Sequence, residues 1–332
     1  MGVVVLVRLV LLEPGLFLGR SGDWFVVKRG GVVLDRVPVG GVEEVVLGGR
    51  GVVVSSNALR LAVERGVDVV VLGRNGLPVG LLVHPILTGF ARVRREQLRA
   101  YDDSRSVVLA KGFVSGRIHG MRYVVYRVLR RFDGGLAGEV LGRLGELLGE
   151  VEGVVSDSID SARKILLGLE ARAADYYWGA WKRVLDGFPG RVHRGARDPY
   201  NMALNYGYSL LYAEVMRGLL RAGLDPLAGF LHTDKWGRPS LVFDLVEEYR
   251  HPIVDYVLLK EYLNRKPETQ SGGLSLDERK KIILLVNNRL EKKVKIKGKE
   301  TSLRQTILSQ AQKIAAYLVG KTKNYKPFKL RY

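Results

Sequence analysis

Leu77–Tyr101, LPVGLLVHPILTGFARVRREQLRAY, begins as a strand and ends as a helix. Before it, apolar residues come in short Val/Leu runs divided by glycine-rich turns. From Pro85 onward they recur with a period of about 3.6 residues and keep it. The chain is therefore expected to be α+β, with a β-rich, sandwich-like domain over 1–85 and a mainly α-helical domain over 86–332.

Upstream, the runs Val3–Leu12, Trp24–Val27, Val32–Leu34, Val45–Leu47, Val52–Val54, Val67–Leu72 and Leu77–Val83 read as strands. Arg29-Gly30-Gly31 and Arg74-Asn75-Gly76 are typical of the turns between them. One helix interrupts the strands: Ser56 or Asn57 caps Ala58–Arg65, and Gly66 stops it. No ionisable cluster stands out here. The apolar edges and faces suit a dimer contact and a buried core equally well.

Downstream, helices are expected over Ile86–Tyr101 and Ser104–Phe132, with Arg92, Arg94, Arg95, Arg99, Arg105, Lys111, Arg117, Arg122, Arg127, Arg130 and Arg131 along them. So dense a run, with Tyr101, Tyr123 and Tyr126 in it, fits phosphate contacts, although solvated surface positions would read the same. An amphipathic stretch at Leu141–Leu148 precedes a long helix from Asp157 or Ser158 to about Leu185, and Asp198-Pro199 opens another at Tyr200–Ala222. Ile253–Leu263 continues helical, and Lys266–Gly273 is the best candidate for a flexible loop. Two basic helices, Asp277–Leu290 and Leu303–Val319, are joined by a lysine-rich turn or strand pair at Lys292–Lys299.

The totals narrow the chemistry. A chain of 332 residues favours two domains. The absence of cysteine excludes disulfides, thiolate metal sites and a cysteine nucleophile. Arg8 and Glu13 break the apolar start, which also lacks a charged leader, so neither a membrane span nor a signal peptide is expected and a soluble cytoplasmic protein fits best. The net charge of +19 implies a polyanionic partner. Residues 265–332 hold 18 Lys+Arg against 5 Asp+Glu, so +13 of that charge lies at one end, on a stretch that keeps a helical apolar stripe. A folded basic surface, and nucleic acid as its partner, follow from that pattern.

The densest chemistry lies in Gly229–Arg250, GFLHTDKWGRPSLVFDLVEEYR. An irregular segment carrying His232 runs into a helix in which Asp244, Glu247 and Glu248 recur at helical spacing, so Asp244 and Glu247 are expected on one face. An imidazole and two carboxylates would offer nitrogen and oxygen ligands to a divalent cation. A solvated acidic face with a packed histidine is the plainer alternative. Glu170 sits mid-helix among Gly168, Leu169, Ala171, Ala173 and Ala174, surroundings in which a glutamate needs a partner, a proton or a metal. Arg163 and Arg172 are its nearest candidate partners on an outward-facing surface. Tyr177 lies two turns on. Val319-Gly320-Lys321-Thr322 imitates the end of a phosphate-binding loop but has Ala315 where the loop needs glycine.

Three groups of residues then resemble one family. They are Gly168-Leu169-Glu170-Ala171 with Tyr177; Asp198-Pro199-Tyr200-Asn201 leading to Leu204-Asn205-Tyr206; and Gly229-Phe230-Leu231-His232 followed by Arg238-Pro239-Ser240-Leu241 and Asp244-Leu245-Val246-Glu247. In this order they resemble CRISPR-associated protein one, the integrase and endonuclease subunit of the spacer-acquisition complex. The resemblance covers nearly the whole chain and is most specific from Leu166 to Tyr256. It implies Glu170, His232 and Glu247 as ligands of Mg²⁺ or Mn²⁺, with Asp244 beside them and Tyr177 near the site. It also implies a homodimer through the β domain, a small ferredoxin-like CRISPR-associated protein two bridging two dimers, and double-stranded and branched DNA as substrate. Metal-assisted transesterification needs no ATP site. A repair nuclease for branched DNA would use the same residues, and a non-catalytic architectural DNA binder would need only the basic surfaces.

Overall fold

The computed structural model describes residues 7–48, 51–73, 78–82, 91–193, 195–296 and 298–330. The expected domain boundary at Pro85, the Arg74-Asn75-Gly76 turn, His84 and the first residues of the helix expected from Ile86 all lie outside the described residues. The chain divides into two compact units, Met1–Gly89 and Phe90–Tyr332.

In the first unit the strands are β1 (Val7–Leu11), β2 (Leu16–Ser21), β3 (Trp24–Arg29), β4 (Val32–Pro38), β5 (Val42–Leu47), β6 (Val53–Val54), β7 (Asp68–Leu72) and β8 (Pro78–Leu82). They form two four-stranded sheets, β1-β5-β7-β8 and β4-β3-β2-β6. Leu9, Leu11 and Val45 from one sheet meet Leu18, Phe25 and Val27 from the other, with Leu61 of helix α1 (Ser56–Glu64), in one buried cluster. The expected β-rich architecture is therefore present. Three details differ. Strand β2 escaped the sequence reading because Gly19 and the charged Arg20 dilute its pattern, and its pairing with both β3 and β6 supplies what propensity does not. Ser55, not Ser56 or Asn57, caps α1: its hydroxyl accepts from the Ala58 N–H at 3.2 Å. The unit also buries an ion pair, Arg8 to Glu44 at 2.5 Å, across adjacent positions of β1 and β5.

The second unit contains α2 (Ala91–Arg99), α3 (Ser104–Val124), α4 (Arg130–Phe132), α5 (Gly134–Gly153), α6 (Ile159–Val184), α7 (Pro199–Arg221), α8 (Ser240–Val246), α9 (Tyr256–Tyr262), α10 (Leu276–Glu291) and α11 (Leu303–Leu318). Wider π turns at Val125–Leu129 and His251–Asp255 join α3 to α4 and precede α9. Helix α3 is buried along most of its length and packs against α5 and α6, while α7 packs against α10 and α11. The expected loop at Lys266–Gly273 carries a short strand, β9 (Thr269–Gln270), that pairs with β10 (Gly273–Leu274). The lysine-rich segment is the strand pair β11 (Lys293–Ile296) and β12 (Lys299–Ser302). No described helix is long and apolar enough to cross a membrane.

Candidate functional site

Asp244 organises the loop between α7 and α8. Its Oδ2 accepts the N–H groups of Phe230 at 2.6 Å and Leu231 at 3.0 Å, and its Oδ1 accepts the His232 N–H at 2.9 Å. The same Oδ1 lies 2.8 Å from the His232 ring Nδ1. Because a carboxylate can only accept here, Nδ1 carries the proton and Nε2 is the ring atom left for a cation. Gly229 makes this closure possible: a Cβ there would stand 2.6 Å from the Ser240 Cβ and 3.1 Å from the Asp244 Oδ2. Burial pulls the His232 imidazole down, but Asp244 first, then Glu247 and Glu170, outweigh it and raise its pKa. Its side chain keeps 29% exposure, enough for a substrate to reach it.

Glu247, just past the end of α8, and Glu170, in the middle of α6, converge on one guanidinium. Arg117 of α3 donates through Nη1 to Glu170 Oε1 and, at 2.8 Å, to Glu247 Oε2. Arg250 stands 3.0 Å from Glu247 Oε1. Burial alone would raise Glu247, yet Arg117, then Arg250 and His232, hold its carboxyl below the usual range. Asp244, Glu247 and Glu248 are all buried, so the acidic stretch is not a solvated face. Nor is Glu170 paired along its own helix: Arg163 binds Asp160 and the carbonyls of Phe230 and Leu231, and Arg172 binds Glu150. No neighbour approaches within 4 Å of where a Gly168 Cβ would be, so that small residue does not serve close packing.

Tyr177 lies in a buried layer behind these carboxylates. Its hydroxyl donates to Asp255 Oδ2 at 2.9 Å, and Tyr208 donates to Asp255 Oδ1. Burial pushes Asp255 up to about 6 despite both hydroxyls. Arg250 stacks over the Tyr208 ring at 5.0 Å, which links this layer to Glu247. Arg191 is tied to Asn201 at 2.8 Å and to Asn205 at 2.5 Å, which satisfies both amides within the helix. His193 is pushed down to about 4, first by burial and then by Arg191, Arg250 and Arg117. His251, although it precedes a proline, is wholly buried and held neutral by burial and the same arginines. Several cations of the arginine run are spent internally rather than on a surface: Arg117 on the carboxylates, Arg122 on the Leu141 carbonyl and Lys111 on two backbone carbonyls.

The sequence profile of the CRISPR-associated protein Cas1 family matches residues 9–287, most of the chain. The chain belongs to the Cas1 family. A Cas1 relative from Archaeoglobus fulgidus, named a CRISPR-associated endonuclease, is 36% identical over 94% of this chain and 96% of its own length. The Cas1 fold recurs in a casposase bound to integration product, with a TM-score of 0.78 and 23% identity over 96% of this chain and 92% of that one. It recurs as well in a Cas6-RT-Cas1–Cas2 complex, with a TM-score of 0.76 and 22% identity over 98% of this chain and 36% of that one.

The residues present fit a divalent cation. One imidazole has its Nδ1 pinned by a carboxylate, two further carboxylates meet at the Arg117 guanidinium, and Glu170 Oε2 is buried without a hydrogen-bond partner. Among the described residues no three such groups already stand at mutual metal-binding distances, because the Arg117 guanidinium lies between Glu170 and Glu247.

Proposed function

We propose that this chain is a divalent-metal-dependent DNA integrase and endonuclease of CRISPR adaptation, which joins the 3′-OH ends of short DNA to the CRISPR array by transesterification. The observation that carries this reading is the gathering of Glu170 and Glu247 onto one guanidinium beside an imidazole whose tautomer Asp244 fixes. The Cas1 family supplies the context: its relatives are named endonucleases, and a structural neighbour holds an integration product.

Glu170, Glu247 and the Nε2 of His232 would hold Mg²⁺ or Mn²⁺. When bound, such an ion polarises a phosphate and lowers the pKa of an attacking hydroxyl. The chain's own residues prepare that chemistry: Asp244 fixes the imidazole, Arg117 and then Arg250 hold the buried Glu247 ionised, and Arg117 also balances the half-buried Glu170 against it. Tyr177 acts from behind as a positioning residue through Asp255, Tyr208 and Arg250. The partners in this reading are double-stranded and branched DNA, a second copy of the chain through the first unit, and a Cas2-type protein such as the one in the neighbouring complex.

The test is to incubate purified protein with linear duplex ends and a supercoiled target, with and without Mn²⁺. Metal-dependent strand transfer is expected. No product with metal, or equal product without it, would overturn the reading; cleavage of branched DNA without joining would favour a repair nuclease.

A further inference from the structure

Trp236 is fully exposed, four residues beyond His232 in the loop that Asp244 organises. An exposed indole on a mobile loop would carry little meaning, but this loop is fixed at its base and along its length. Gln97, buried on α2, grips the base: its amide donates to the carbonyls of Asp225 and Ala228, each at 2.8 Å, and accepts the Asp225 N–H at 2.8 Å. Arg163 holds the Phe230 and Leu231 carbonyls at 2.9 Å, and the Ser240 hydroxyl donates to the Thr233 carbonyl at 3.1 Å. The tip closes as a turn, with the Arg238 N–H donating to the Lys235 carbonyl at 2.9 Å and Gly237 at φ +69°, a conformation that favours glycine. The indole is thus presented to water on a preset turn.

Its surroundings bring two cations beside the aromatic face. Trp236, Leu227, Lys235 and Arg238 are among the residues around an open cleft of about 350 Å³, within the usual size of small-ligand clefts, ~300–1,000 Å³. Leu227 adds a second exposed apolar surface. The cleft's two carboxylates each accept a backbone N–H, Asp225 from Leu227 and Asp234 from Gly229. Arg238 stacks over Phe243 at 5.6 Å, and Phe243 meets the His232 ring at 6.0 Å, so the turn joins directly onto the reacting region. An aromatic face flanked by two cations suits an unpaired base with its phosphates, because every base offers a π face to stack on.

Resting on the DNA reading above, we infer that Trp236 is a stacking platform for an unpaired base at the end of the DNA held at the Glu170, His232 and Glu247 site, with Lys235 and Arg238 on the adjoining phosphates. The platform separates splayed ends from fully paired ones before strand transfer.

The test compares full-length wild type, Trp236→Ala and Trp236→Phe on two duplexes of one sequence, one fully paired and one with an unpaired 3′ end carrying 2-aminopurine. Binding is followed by anisotropy and stacking by 2-aminopurine fluorescence. Trp236→Ala is expected to weaken binding of the unpaired end by about 5- to 150-fold and to abolish the quenching, with the paired duplex unchanged and Trp236→Phe retaining most of both. Equal affinity of Trp236→Ala and wild type for the unpaired end would overturn the inference, as would an equal loss on both duplexes, which would mark a general surface or partner contact. A wild type that binds neither duplex would overturn the DNA reading itself.

Discussion

Replacing Asp244 with Asn tests whether its two oxygens do what the geometry assigns them. Oδ2 serves Phe230 and Leu231, and Oδ1 serves the His232 N–H and its ring. An asparagine must turn its NH₂ toward one of these pairs. Facing Phe230 and Leu231 it would orphan two buried donors, at about 2–6 kcal/mol in all. Facing His232 it orphans one donor, about 1–3 kcal/mol, and the ring adapts by moving its proton to Nε2. The cheaper orientation should win. Melting should fall by roughly 2–12 °C for a helical unit of this size. Activity and metal affinity should fall further, by about 10- to 100-fold, because the ring then presents a donor where a ligand is needed. Thermal unfolding gives the first number, and ¹⁵N spectra of histidine-labelled protein give the tautomer. An Asp244→Asn protein with the Nδ1–H tautomer intact and normal strand transfer would refute the argument.

Arg117→Met should destabilise the metal-free protein by about 3–5 kcal/mol, since the buried Glu247 and the half-buried Glu170 lose their shared counter-charge, and Mn²⁺ should restore most of that loss in a melting experiment. Tyr177→Phe should push Asp255 above about 6. Because that carboxyl's folded pKa already exceeds its ordinary value, the variant's deficit should be small near pH 4 and grow as pH rises through 6, as urea unfolding across that window would show. Burial pushes Glu248 up to about 8 although Tyr325 and the Phe328 N–H bind it. Its contribution to stability is therefore lost as pH rises from 4.5 through about 8, and Glu248→Gln should flatten that decline in chemical denaturation at stepped pH.

The fold was legible wherever a period persisted. The long helix carrying Glu170 and the helix opened by Asp198-Pro199 fall within about a residue of expectation, because Ser158 and Asp198 cap them with the side-chain bonds their types favour. Strand β2 was not legible, since its stability comes from neighbours on both sides rather than from its own residues. In the site, the acids and the histidine were marked by their spacing and their resemblance to a family. Arg117 was not, because nothing in a sequence separates it from ten other cations in the same run; only the approach of α6 and the end of α8 to α3 singles it out. Glu248 looked like one more surface acid. The residues that bury it, Tyr325 and Phe328, lie far along the chain, beyond the reach of any local pattern.

Glu170, His232 and Glu247 are proposed to act together on one divalent cation. Titrating Mn²⁺ into the full-length protein, with the free ion read by electron paramagnetic resonance, tests it without relying on activity. The wild type is expected to bind Mn²⁺ at a site that is lost in each of Glu170→Ala, His232→Ala and Glu247→Ala while the fold is retained. Undiminished Mn²⁺ binding in any one of the three would contradict it.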